Sequence, residues 1–126
     1  MRDLQNKISF IQAVVPQVLT ATNTSAAIDI IGYGAAVVRI TAGAVAGAGN
    51  FTPKLQECDT TGGTYTDVAA VDLNTTFPTV LAQNTGYDVG YIGNKRFLKT
   101  VLTLNSGTSI AAAVDIILGK AAREPV

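Results

Sequence analysis

Short runs of Val, Ile and Thr recur along the chain, and clusters of Gly, Asn, Asp, Ser and Thr separate them. Apolar and polar residues that alternate within a run mark a half-buried strand, and β-branched side chains pack well on its pleated surface. Residues Ile8 to Val14 alternate imperfectly; after Pro16 the pattern resumes over Val18 to Thr22 as an edge strand, where proline is tolerated. Ala26 to Ile31 is the next strand, closed by Gly32-Tyr33-Gly34. Ala35 to Thr41 is the clearest central strand, with Val37 and Arg39 on one face and Val38 and Ile40 on the other. Gly43 to Asn50 reads as a loop of small residues. Phe51 to Cys58 follows, with Phe51 and Leu55 on one face, Lys54 and Gln56 on the other, and Pro53 placing it toward a sheet edge.

Gly62-Gly63 is a hairpin tip, and Tyr65 to Val71 is its return strand. Asp72 to Thr85 is irregular, anchored by Phe77, Val80 and Leu81. Tyr87 to Ile92 is a short strand, Gly93-Asn94 a tight turn, and Lys95 to Leu104 the longest strand. Ile110 to Leu118 is the last. An Ala-rich helix over Ser109 to Ala122 is its rival, because Ala is a strong helix former. The β-branched residues and the preceding Asn105-Ser106-Gly107 turn favour the strand.

The sum is about eight strands spaced by about a dozen residues, the layout of an all-β domain. The expectation is a single-domain antiparallel β-sandwich, jelly-roll-like, over residues 1–126, with an N-terminal arm near 1–10 and a C-terminal arm near 119–126. Ile31-Gly-Tyr-Gly and Val89-Gly-Tyr-Ile-Gly look alike, but such short strings do not define a repeat.

Charge sharpens this picture. Only 14% of the 126 residues are charged, where a soluble domain usually has roughly 25%. Lys plus Arg is 9 and Asp plus Glu is 9. That balance argues against a basic protein that binds nucleic acid by releasing counterions from phosphates. High apolar content excludes an acidic disordered tail. A neutral, charge-poor surface has little to oppose association, so much of it is expected to lie under a partner. Arg2 and Lys7 precede a moderately apolar stretch, but Asp3, Gln12, Pro16 and Gln17 interrupt it, and the segment reads as mature structure rather than a signal. No apolar run approaches the length of a membrane-spanning helix.

Catalytic chemistry finds few parts. There is no histidine, so the commonest base and metal ligand are missing. Cys58 is the one cysteine, and the adjacent Asp59 opposes a thiolate. The glycines from Gly43 to Gly49 lack the Gly-Lys-Ser/Thr ending and following helix of a phosphate loop. The carboxylates are scattered; Asp67 and Asp72 could meet in space, as glycoside hydrolysis would need, but nothing in their spacing supports it. Lys95-Arg96-Phe97-Leu98-Lys99 sets an aromatic among three cations, which in a neutral protein reads as a solvated or interface strand. No enzyme, cofactor or metal is expected.

Three strings point further: Met1-Arg2-Asp3-Leu4, the segment from Gly90 to Lys99 (GYIGNKRFLK), and the terminal strand leading to a short Arg/Pro tail. On these the chain resembles small proteins encoded among the head genes of tailed bacteriophages and prophages. In their pattern a tyrosine-glycine turn enters a Lys-Arg-aromatic strand; here Phe97 stands where that pattern often has tyrosine. The resemblance implies a cement or decoration protein on the capsid exterior, present in the host cytoplasm during assembly. Its partner would be the major capsid protein, with no membrane and no direct nucleic-acid contact. A homo-oligomer is expected, a dimer ahead of a trimer. Contacts are expected at Arg2, Leu4, Phe10, Val45, Phe51, Arg96, Phe97, Lys99 and Arg123. Strand addition at a sheet edge is one docking route. A tail-tube or head-completion subunit and a ligand-binding β module are the alternatives.

Overall fold

The computed structural model describes residues 1–123. Nine strands form two sheets: β1 Ser9–Leu19, β2 Asn23–Thr24, β3 Ile28–Asp29, β4 Tyr33–Ala46, β5 Asn50–Cys58, β6 Thr66–Asp67, β7 Gly86–Tyr91, β8 Phe97–Ser106 and β9 Ser109–Ala121. The first sheet has the order β1-β9-β4-β7. In the second, β2-β8-β5-β6, the short β3 also pairs with β8. Every pairing is antiparallel. β2 and β3 lie along one edge of β8, opposite Leu102–Val101 and Leu98–Phe97, and act as one broken strand. Counted so, the order is that of an eight-stranded jelly roll.

Alternation decides which way each strand faces. In β5, Phe51, Pro53, Leu55 and Glu57 point inward, while Thr52, Lys54 and Gln56 point out. In β4 and β9 the inward set is Val38, Ile40, Val114, Ile116 and Leu118, each at 2% exposure or less. These join Phe51, Leu55, Leu98 and Leu102 in one core between the sheets.

Pro53 fits because of where its missing N–H would point. The carbonyls of Phe51 and Leu55 accept bonds from Leu81 and Val68, so this register of β5 faces away from β8. Pro53 shares that register, and its ring displaces no bond to β8. Pro16 lies in β1, the outermost strand of its sheet, where the register against β9 slips twice, between Gln12 and Val14 and between Val14 and Gln17.

Residues Ser109–Ala121 are strand, as the pattern favoured over the rival helix, and β9 pairs along its length with both β1 and β4. Three expectations change. The small-residue loop is mostly strand: β4 continues to Ala46, opposite Ser109, and only residues 47–49 turn. That turn is tightly packed, since a Cβ on Gly107, at φ +81°, would lie against the carbonyl of Ala48. The return strand after the Gly62-Gly63 hairpin shrinks to Thr66–Asp67, followed by a 3-10 turn at Ala70–Asp72. β1 starts at Ser9 and β9 reaches Ala121, so both arms are shorter than expected. Residues 124–126 of the C-terminal arm lie outside the described residues.

Among the described residues, one buried side-chain oxygen is unsatisfied. The Thr100 hydroxyl is buried with no hydrogen-bond partner among the described residues. Thr100→Val keeps the shape and removes the orphan, so it is expected to raise stability by about 1 kcal/mol, read by urea unfolding.

Candidate interaction surfaces

The two sheets present unlike outer faces. On the β2-β8-β5-β6 sheet the face is polar and internally bonded. Asp67 takes Gln56 Nε2 at 3.0 Å and Lys54 Nζ at 3.3 Å. Those contacts, Gln56 first, hold its carboxyl below the usual range. Lys99 Nζ sits 4.4 Å from the Tyr65 ring centroid. Asn105 Nδ2 donates to Asn50 Oδ1 at 3.0 Å and Thr52 Oγ1 at 2.6 Å.

The outer face of β1-β9-β4-β7 is small and apolar. Ala35, Val37, Ala111, Ala113 and Ile117 lie across its centre, half-buried. Phe10 (64% exposed) and Val18 (63%) extend it along β1. A shallow groove of about 330 Å³ runs between Pro16–Gln17, Thr41–Gly43 and Ala111–Ala113. One polar row crosses the face: Gln12, Asp115, Arg39 and Asp88 are successive cross-strand neighbours. Arg39 Nη1 donates to Asp88 Oδ1 at 2.9 Å. Asp115 has no hydrogen-bond or ion-pair partner among the described residues.

A third surface is one end of the sandwich. The N-terminal segment enters β1 here, β9 leaves here, and the β7–β8 connection turns here. Ile31 (61% exposed) and Ile92 (59%) stand out from it. Two grooves flank Ile31: one of about 350 Å³ bounded by Tyr33, Ala122 and Arg123, the other of about 310 Å³ bounded by Asn94, Lys95 and Arg96.

The cations of the Lys-Arg-aromatic string are all engaged. Lys95 Nζ meets Asp59 Oδ2 at 2.9 Å, a contact that pushes its pKa up. Arg96 grips Asp29 through Nε at 3.0 Å and Nη2 at 2.8 Å, and its guanidinium lies 4.9 Å from the Phe97 ring centroid. The Arg96 hydrogen bonds hold the Asp29 carboxyl below its usual range. Paired so, the string is a brace between β8 and the β3–β4 turn rather than a bare phosphate-binding stripe.

Beneath that end lies a buried polar relay. Tyr91 (4% exposed) donates from its hydroxyl to Glu57 Oε1 at 3.1 Å and accepts the Lys95 backbone N–H at 3.0 Å. Burial, chiefly, pushes the Tyr91 pKa up to about 12. Gly93 is required where it is, because a Cβ there would fall on the Tyr91 ring. The Gly-Tyr-Ile-Gly string is thus a structural corner.

The residues expected as contacts divide. Arg2, Leu4, Phe10 and Arg123 are exposed, Arg96 and Phe97 sit at the same end, and Lys99 faces out from β8. Val45 is half-buried at the opposite end, opposite Ile110. Phe51 is corrected: it is 0% exposed in the core, so its side chain offers no surface for a contact. Ile31 and Ile92 were not anticipated, although each adjoins a Gly-Tyr string. Asp67 is taken by Gln56 and Lys54, which removes it from a carboxylate pair. Among the described residues no three of His, Cys, Asp and Glu cluster to hold a metal, and no helix is long and apolar enough to cross a membrane.

No protein-family model and no curated protein matches the sequence. Solved structures do. The SPBc2 prophage-derived protein YomS is similar over 88% of this chain and 91% of that chain, at 13% identity and a TM-score of 0.52. A chain in the structure of the infectious bursal disease virus Gx strain is similar over 89% of this chain, at 13% identity and a TM-score of 0.50. There this chain spans 31% of the other's length. At such identities the likeness is one of fold: the chain shares an all-β sandwich with a prophage-derived protein and with a virus protein.

Proposed function

We propose that this chain is a structural protein of a bacteriophage particle, which binds the capsid exterior as a cement or decoration protein. The observation that carries the reading is the end of the sandwich where the N-terminal segment, exposed Ile31 and Ile92, and Arg123 come together over shallow grooves. An apolar rim with exposed polar chain beside it suits docking on a large flat partner better than enclosing a small ligand. The fold likeness to a prophage-derived protein and a virus protein supports the same reading. The partner is the major capsid protein, the binding unit is a homo-oligomer, and the role requires no catalytic step.

The test is co-sedimentation with empty shells assembled from the major capsid protein of the phage or prophage that carries this gene. The wild-type protein is expected to pellet with shells, and the double variant Ile31→Asp, Ile92→Asp to lose at least tenfold in affinity. Lys54→Ala, on the polar sheet, is the control and is expected to bind normally. A wild-type protein that stays in the supernatant with shells but decorates tail tubes or connectors would replace this reading with the tail-tube or head-completion one.

A further inference from the structure

We infer that the outer face of the β1-β9-β4-β7 sheet is where a second copy of this chain packs, face to face, about a twofold axis. The inference deepens the oligomer part of the reading above and is independent of the capsid part.

Size is the first argument. Strands of 11, 13, 14 and 6 residues, at about 3.3 Å per residue and about 4.8 Å between strands, present about 700 Å² of projected face. A stable interface takes about 600–1,000 Å² from each partner, a range this face falls within. The centre of the face is Val37, Ile117 and small alanines, which leaves room for a close approach of two sheets.

Charge decides the occupant. An unpaired carboxylate at the centre of an apolar face is costly to cover unless the covering surface brings it a donor. Asp115 is such a group, while Arg39 beside it spends one of five N–H donors on Asp88. β9 and β4 are neighbours, and Asp115 and Arg39 are register partners. A twofold axis running along the strands between β9 and β4 exchanges the two positions. It sets each Asp115 against the second copy's Arg39 and each Ile117 against the second copy's Val37. The face is its own complement in charge and in shape, as an isologous contact requires.

Sedimentation equilibrium of the purified chain alone tests this. The wild-type protein is expected to be a dimer. Asp115→Arg and Arg39→Asp are each expected to weaken association at least tenfold, and combining them in one chain to restore it. Lys54→Ala, on the other sheet, is expected to change nothing. Circular dichroism and thermal melts establish that each variant keeps the β fold, since the substituted side chains lie on an outer face. A wild-type monomer or trimer overturns the inference. So does a double swap that fails to rescue folded protein. Either result leaves shell binding to be judged by co-sedimentation.

Discussion

Phe51→Ala is expected to cost about 3–5 kcal/mol, the usual range for truncating a fully buried aromatic. Phe51 has no exposed surface and packs within the core formed by both sheets. Its truncation removes the ring's burial and leaves a void that rigid strands on both sides cannot close. Typical domains hold only about 5–15 kcal/mol of stability, so the variant should sit near the edge of folding. Differential scanning calorimetry should show a melting point lower by roughly 10–20 °C. Phe10→Ala is the contrast. Phe10 is 64% exposed on the outer face of β1, and its loss is expected to shift monomer stability by no more than about 0.5 kcal/mol. Equal costs for the two substitutions would mean that β5 faces the other way.

The second large effect belongs to the Glu57–Tyr91–Lys95 relay. Tyr91→Phe removes one hydroxyl and strands two groups: the Glu57 carboxylate, 8% exposed, and the Lys95 backbone N–H. The expected cost near neutral pH is about 2–3 kcal/mol, because one of the orphans is an acid. The pH dependence identifies the cause. Tyr91 has a folded pKa of about 12 against 10.0 in the open chain. Its contribution is therefore complete below pH 10 and is lost as the pH rises toward 12, because the unfolded chain ionises first. The loss amounts to about 2–3 kcal/mol over that interval. Lys95, raised by Asp59, weakens the protein in the same direction at high pH, in wild type and variant alike. Urea titrations across the alkaline range should therefore show the wild-type curve falling toward that of Tyr91→Phe. Curves that stay parallel would assign the relay no proton-linked role.

Much of this fold is legible in the strand pattern. Alternation in β4, β5 and β8 already separates Val38, Leu55 and Leu98 from Arg39, Lys54 and Lys99, and the structure places the first set inside. For Phe51 the alternation pointed inward beside Leu55, and the expectation of a contact there ran against it. What the pattern lacks is pairing. Gly43, Ala44 and Ala46 carry little strand propensity, and become strand where β9 lies alongside. The same holds for the alanines at 111–113, whose helix preference yields to neighbours on both sides. The candidate surfaces are less legible still. Asp29 and Arg96 are 67 residues apart in sequence, so nothing local says that the Lys-Arg-aromatic string is neutralised. Nor can local sequence say that Ile31 and Ile92 reach the same end.

The four sheet edges carry a final consequence. β1 is bulged twice and interrupted by Pro16. β7 is overlaid by residues 72–74: Leu73 lies opposite Tyr91, the Asn74 N–H donates to the Gly90 carbonyl, and the Asp72 carbonyl accepts from the Ile92 N–H. The β2–β3 edge and β6 consist of two-residue fragments. None of the four offers a long straight row of unpaired amides and carbonyls, which is the template by which β proteins recruit further strands and grow fibrils. Strand addition, one of the routes open to a β domain of this kind, is the one this architecture suppresses. Association is left to its faces and ends.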